Sequence, residues 1–382
     1  MSPFDVVVIG LGAMGSAALA NLARRGVSVI GIEQFTRGHL LGSSSGKSRM
    51  IRKAYFEHAS YVPLVLRAYE GWDELERLTG IPIFRKTAVL LVGTPESSIV
   101  SGAAKSAHAY GLPIEHLSAS EIRKRFPMFA PLGGEVGLLE PDGGFITPED
   151  AIEGFLRVAE AHGGQMLFGH CAFGWNRAGD GTLLEVQLGD GTSIASSRLI
   201  VCAGPWWSAF VRDVMPIDLQ RNVQLWFRAP SPAFSIGTCP AFLLDRADLP
   251  RPLYGFPDYG AGVKAALHGF GDSIDSPDRL DRAVHPRDVE PVRDALAAWM
   301  PANQWKVIEG KVCIYELTPD RHFLVGLHPN DPHVVVAGGF SGHGFKFAPM
   351  IGEVLADLAL DGGTRDDLTF LSPNRFARGL DD

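Results

Sequence analysis

The stretch Phe4-Asp-Val-Val-Val-Ile-Gly10-Leu-Gly12-Ala-Met-Gly15, continued by Ser16-Ala-Ala-Leu-Ala-Asn-Leu-Ala-Arg-Arg25-Gly26-Val-Ser-Val-Ile-Gly-Ile-Glu33, decides the fold. Phe4 to Ile9 is a short β-branched run, Ser16 to Arg25 has helical character, Gly26 stops the helix, and Val27 to Ile32 reads as a second strand. The first glycine permits a tight turn, the second lets backbone approach a pyrophosphate, and the third lets helix and strand pack closely. The helix start, with Ala13 and Met14, attracts phosphate charge, and Glu33 at the end of the second strand suits ribose hydroxyls. An acid there disfavours a 2′-phosphate, so FAD or NAD fits better than NADP. An incidental Gly-rich turn would show the same three glycines, but not the strand, helix, strand and acid at these spacings.

Composition bounds the rest. The 382 residues are 46% hydrophobic and 20% charged, enough for a large core and about two domains. Lysine plus arginine total 35 against 43 acidic residues, without long runs of one sign, so no basic face for nucleic acid or anionic lipid is expected. There is neither a signal-like N-terminus nor an apolar run of the ~20 residues a spanning helix needs, so the chain is expected in the cytoplasm. Cys171, Cys202, Cys239 and Cys313 are too scattered for a disulfide framework or a zinc site.

Beyond Glu33, a small-residue loop from Gly42 to Tyr55 carries Ser43, Ser44, Arg49 and Arg52. Helices are expected at Tyr61 to Leu78, Pro148 to His162 and Pro349 to Leu360. Strands are expected at Ala88 to Val92, Met166 to Ala172, Leu183 to Leu188, Leu199 to Val201 and Val334 to Ala337. Leu199 to Val201 runs into the sharp exit Cys202-Ala203-Gly204-Pro205-Trp206. Pro216 to Glu309 is rich in proline, aromatics and short apolar runs, the character of a second, sheet-rich domain. Within it Lys264 and His268 share a face whether the segment is strand or helix. The expected class is α/β (α+β), with a discontinuous Rossmann-like domain over 1–85, 146–215 and 320–382 and a substrate domain over 86–145 and 216–319. Lastly, Cys313-Ile-Tyr315 precedes the run Phe340-Ser-Gly342-His-Gly344-Phe345-Lys346-Phe347, which supplies a thiol, a phenol and a lysine.

With VVVIGLGAMG, SSGKSRMIRKAY, YVPLVLRA, YGFP, GKVCIY, TPDRHF and FSGHGFKF in order, the chain resembles the monomeric sarcosine oxidase and N-methyltryptophan oxidase group of FAD-dependent amine oxidases, in the D-amino-acid-oxidase-like class. The likeness runs nearly end to end. It implies FAD as cofactor, joined through the sulfur of Cys313, with Arg49 over the flavin ring. Arg52 and Lys346 fall at the positions that bind the substrate carboxylate, a task suited to a guanidinium and an ammonium. Tyr254, Tyr315 and His268 are implied to face the substrate, and Lys264 to activate oxygen. Gly10, Gly12, Ala13, Met14, Gly15, Glu33, Gln34, Ser43, Ser44, Ala172, Ala203, Gly204, Trp206, Gly342, Gly344, Phe345 and Lys346 are implied to contact the cofactor.

The chain departs from the sarcosine-type pattern at Ser44, Ser45, Lys47, Ser48 and Lys53, and Leu243, Leu244 and Arg246 are expected to shape the side-chain site. The implied activity is oxidation of a secondary or N-methylated amino acid by a monomer, with molecular oxygen as acceptor and peroxide as product. A flavin dehydrogenase serving a carrier or quinone, an NAD-dependent dehydrogenase and a non-enzymatic flavin subunit are the rival readings.

Overall fold

A computed structural model describes residues 3–179, 181–211, 216–301 and 304–376; the chain end at 382 and residues 212–215, within the expected nucleotide domain, lie outside the described residues. Strand β1 (Phe4–Ile9), helix α1 (Ala13–Arg24) and strand β2 (Val29–Glu33) form the expected βαβ unit, with β1 and β2 parallel. The helix begins three residues earlier than the sequence suggests, directly at the glycine turn. That early start is what aims its free N–H groups at the turn.

β1 and β2 lie within an eight-stranded sheet that runs Ala172–Arg177, Leu184–Leu188, Ser193–Val201, β1, β2, Gln165–Phe168, with Asp331–Gly338 also on Ser193–Val201 and Leu324–His328 on that strand. The expected strand from Met166 to Ala172 is divided, because Gly169 takes φ +75° and turns the chain between two partners. Helices α1, Tyr61–Thr79, Pro148–Ala161 and Ala348–Asp361 pack together over one face, their apolar stripes merging in one cluster. Close backbone approach is built in. A Cβ on Gly15 would lie 1.8 Å from the Gly10 carbonyl oxygen, and one on Gly352 would lie 2.5 Å from the Ala17 Cβ.

A second, nine-stranded sheet runs from Glu115–Ser118 through Val136–Glu140, Val89–Gly93, Ala241–Leu244, Leu253–Phe256 and Val263–Leu267 to Asp218–Phe227, which also pairs with Ser273–Ile274 and Val307–Leu317. A small three-stranded sheet of Arg49–Ile51, Gly144–Ile146 and Phe84–Lys86 lies apart from both. The helix Pro286–Trp299 covers the second sheet's far face with Val292, Leu296 and Trp299, beyond what sequence periodicity suggested.

Register in this sheet does the work of assembly. Tyr315 stands opposite Gln220, Cys313 opposite Asn222, Lys311 opposite Gln224, Lys264 opposite Trp226, and Tyr254 opposite Ala266. Opposed residues share a face and alternate residues repeat it, so Tyr254, Lys264, His268, Cys313 and Tyr315 are all presented on one side.

Gly15→Ala is expected to destabilise the protein by roughly 1–3 kcal/mol or more, the overpacking range, because its neighbour is rigid backbone. A thermal melt checks it. A melting temperature equal to wild type would show that the turn can relax, contrary to this packing.

Candidate active site

One cavity of about 460 Å³ lies along the face just described and reaches the glycine turn. It is lined by Gly10, Gly12, Ala13, Met14, Glu33, Gln34, Ser43, Ser44, Arg49, Arg52, Ala172, Ala203, Gly204, Trp206, Tyr254, His268, Cys313, Tyr315, Gly342, Gly344, Phe345 and Lys346. Two of the expected residues stand back from it. Gly15 is a packing glycine beneath the turn, and Lys264 is buried behind the loop 46–48.

At the nucleotide end Gly10 takes φ +84°, and a Cβ there would strike the Cys202 carbonyl oxygen at 2.4 Å. Glu33 is fixed by the N–H groups of Leu11 at 2.9 Å and Phe35 at 3.1 Å, with His39 beside it. Burial opposes the charge, but His39 and these N–H groups prevail and hold the carboxyl below its ordinary value. Trp206 is anchored by its indole N–H to Asp278.

The loop 42–49 joins this end to the rest. Gly46 and the non-glycine Lys47 both take positive φ, +115° and +63°, which turns their N–H groups to Glu149. The carbonyls of Gly46 and Ser48 then face the opposite way and accept from Lys264 Nζ at 2.7 and 2.8 Å. Arg49 donates to the carbonyls of Ser43, Ser45 and Ser48, and its Nη2 stands 3.8 Å from Cys313 Sγ. Burial, followed by Arg49, presses the Lys264 pKa well below the ordinary lysine value.

At the other end Arg52 is 3% exposed, its guanidinium between the rings of Tyr55 and Phe56. It is already paired: Nη2 reaches both Glu57 carboxylate oxygens, at 2.9 and 2.7 Å, and Nη1 donates to the Ala54 carbonyl. Burial would raise Glu57, yet Arg52, then His343 and Lys346, hold it at about 2. Lys346 Nζ donates to the His343 carbonyl at 2.6 Å and the Tyr55 hydroxyl at 3.3 Å, both neutral. Burial and nearby Arg52 therefore lower its pKa to about 7, with Glu57 offsetting only part. Tyr315 OH lies 3.4 Å from His268 Nδ1, and burial lowers the His268 pKa, favouring the neutral ring.

Sequence reasoning did not find Glu57, Glu149, Gln224, Phe56 or Glu316, all of which line the cavity. Glu57 follows the Arg52 motif, Glu149 reads as a helix-start acid and Glu316 follows Cys313-Ile-Tyr315, while Gln224 becomes visible only through its register with Lys311. Of the residues expected to shape the side-chain site, only Leu243 reaches the cavity. Strand alternation sends Leu244 into the far-face core. Arg246 is consumed by a buried pair with Glu135 over the Trp299 ring. Lys53 is likewise held by Asp142 and the Tyr69 ring.

A long ligand with hydrogen-bonding groups fits this lining. Ser48 Oγ, Gln224 Oε1 and Glu316 Oε2 are buried oxygens of cavity-lining residues that make no hydrogen bond of ordinary geometry within the protein. With the glycine turn at one end and a buried thiol beside a guanidinium further along, the set suits FAD. No group of acids, histidines and cysteines suited to a metal ion occurs among the described residues, and none of the described helices is long and apolar enough to cross a membrane.

Residues 5–358 match the family model of FAD dependent oxidoreductases named DAO. The chain is 38% identical to monomeric sarcosine oxidase of Streptomyces avermitilis, over 99% of each chain. It is 37% identical to monomeric sarcosine oxidase of a Bacillus species, over 97% of this chain and 96% of that one. It is 33% identical to N-methyl-L-tryptophan oxidase of Salmonella dublin, over 98% of this chain and 100% of that one. Among solved structures, NikD, an unusual amino acid oxidase essential for nikkomycin biosynthesis, has a TM-score of 0.86 at 23% identity, over 98% of each chain. Glycine oxidase from Geobacillus kaustophilus has 0.81 at 21%, over 98% of this chain and 99% of that one, and these two likenesses speak for the fold. The chain belongs to the FAD-dependent oxidoreductases of the DAO family, within the group of monomeric sarcosine oxidase and N-methyltryptophan oxidase.

Proposed function

We propose that this enzyme oxidises secondary or N-methylated amino acids, producing an imine that water hydrolyses, and hydrogen peroxide. The observation that carries this reading is the meeting of two cations, Arg52 and Lys346, with Tyr315 and His268 in the cavity that also holds the dinucleotide turn and Cys313. Bound FAD supplies a two-electron acceptor for the C–H bond next to the amine nitrogen. The protein's own groups do the placing. Arg52 and Lys346 take the carboxylate, and the neutral His268 ring with the Tyr315 hydroxyl receives the uncharged amine. Cys313, beside Arg49, is assigned the covalent tether to the cofactor. Lys264, held by two loop carbonyls, is assigned the approach of oxygen, where its N–H donors stabilise developing negative charge. A nucleotide lobe built on the eight-stranded sheet, a substrate lobe built on the nine-stranded one, and a cytoplasmic monomer complete the reading.

Acid precipitation of the purified protein is expected to leave yellow colour on the polypeptide, and Cys313→Ala is expected to release it into the supernatant. Colour retained on the variant would overturn the tether. Peroxide release with N-methyl amino acids tests the activity itself; its absence across sarcosine, N-methyltryptophan and pipecolate would refute the substrate class.

Lys264→Met is expected to slow reoxidation by oxygen by roughly tenfold or more while anaerobic bleaching by the amine persists, measured by stopped flow. Equal loss in both half-reactions would remove Lys264 from the oxygen step. Rapid dye reduction with sluggish oxygen reaction in the wild type would favour a carrier-linked dehydrogenase.

Lys346 gives the pH dependence. With its pKa near 7 in the free enzyme, it is charged below and neutral above, whereas a bound carboxylate favours the charged form. Affinity for a small carboxylate such as propionate is therefore expected to weaken as pH rises through about 7 to 9, and Lys346→Met to flatten the profile. A profile equally steep in the variant would assign the titration elsewhere.

A further inference from the structure

Glu316 is 5% exposed, and the mechanism above does not use it. It lies one residue past Tyr315, so strand alternation turns it away from the Cys313 and Tyr315 face. Its Oε1 accepts from Ser43 Oγ at 2.8 Å and lies 3.5 Å from where a Cβ on Gly204 would be, while its Oε2 makes no hydrogen bond of ordinary geometry, the Gly339 N–H lying near the carboxyl. Glu316 is among the residues that line the cavity.

Position gives this carboxyl its meaning. The adjoining Ser44 hydroxyl accepts from the Ala13 N–H at the start of α1, at 3.3 Å, and the Ser43 carbonyl lies 3.8 Å from Cys313 Sγ. Ser43 and Ser44 thus bridge the phosphate-facing helix start and the thiol, and Glu316 is bonded to that bridge. An extended FAD reaching from one of these ends to the other would bring its polyol chain toward the interval, and hydroxyls are the donors that a carboxylate oxygen without a close partner lacks.

We propose that Glu316 is a cofactor-binding residue that accepts a hydrogen bond from the polyol chain of FAD, the counterpart at the flavin half of what Glu33 offers the ribose at the other. The inference rests on the FAD reading of the cavity. Burial raises the Glu316 carboxyl to about 7, partly offset by the Ser43 hydroxyl and by the nearby Gly339 N–H.

The test uses the Cys313→Ala protein freed of flavin, with FAD and ADP as separate probes, titrated by flavin fluorescence and by calorimetry. Adding Glu316→Leu is expected to weaken FAD roughly tenfold or more, the loss of one hydrogen bond to a charged group, and to leave ADP affinity unchanged. Glu316→Gln, which keeps an acceptor oxygen, is expected to stay within about threefold of the parent for FAD. Unchanged FAD affinity in Glu316→Leu, or equal losses for FAD and ADP, would overturn the proposal, the latter by showing a structural effect. Failure of the Glu316-containing parent to bind FAD would instead sink the flavin reading, so the two failures are distinguishable.

Discussion

Keeping three cations beside one cavity is the constraint on which the rest of the site depends. Arg52, Lys264 and Lys346 are all at most 5% exposed, and a buried charge without partners costs several kcal/mol. Each is answered differently. Arg52 has a carboxylate, Glu57; Lys264 has two backbone carbonyls; Lys346 has one carbonyl and a phenol. The first stays fully charged, whereas the pKa of each lysine is driven down, because dipoles compensate an ammonium less than an ion does. Graded compensation gives the cavity a permanent cation, Arg52, and one whose charge depends on what binds, Lys346, with Lys264 held behind the loop 46–48.

The loop 42–49 makes that grading possible. Consecutive left-handed residues at Gly46 and Lys47 reverse the peptide dipoles, so N–H groups face Glu149 and carbonyls face Lys264. A β-region conformation at either position would present the loop differently to both groups. Lys47 has a Cβ and therefore holds this conformation at a cost that glycine would not incur. Its backbone is clamped from three sides, by Glu149, by the Tyr259 hydroxyl on its carbonyl, and by the Lys264 bonds on the flanking residues. The loop also carries Arg49, whose carbonyl contacts with Ser43, Ser45 and Ser48 orient it toward Cys313. The helix that carries Glu149 and the strand that carries Lys264 are joined here through the backbone of this loop.

The βαβ unit was legible because its signal is local: glycines, apolar runs and one acid at fixed spacing. The shared face of Tyr254, Lys264, His268, Cys313 and Tyr315 was legible only in pairs, as i and i+2 or i+4 within a strand. What joins the pairs is register between distant strands, such as Cys313 opposite Asn222 and Tyr254 opposite Ala266, and no single segment encodes it. The family resemblance supplied those positions where spacing alone could not. Neither source revealed Glu57 as Arg52's partner, because an acid near an arginine is usually a solvated surface pair. Burial decides otherwise here. Leu244 and Arg246 failed for the converse reason: proximity in sequence to Leu243 says nothing of face, and alternation with a buried Glu135 partner removes both from the cavity.

The Arg52 and Glu57 pair bears on specificity. If Arg52 and Lys346 take the substrate carboxylate as proposed, that carboxylate would have to share or displace Glu57 on the guanidinium, so part of its binding energy would be spent against an existing bond. Lys346, whose contacts are neutral, gains most from the incoming charge. Recognition is then a transfer of compensation. Before binding, Glu57 balances Arg52 and leaves Lys346 with a pKa of about 7; on the proposed anchor, the substrate carboxylate would then balance both cations and favour protonated Lys346. An uncharged amine lacking a carboxylate would have to bind against an intact ion pair with nothing to offer Lys346. On the proposed reading, selection for amino acids over simple amines would thus follow from the difference in how two neighbouring cations are held, and not from the shape of the cavity alone.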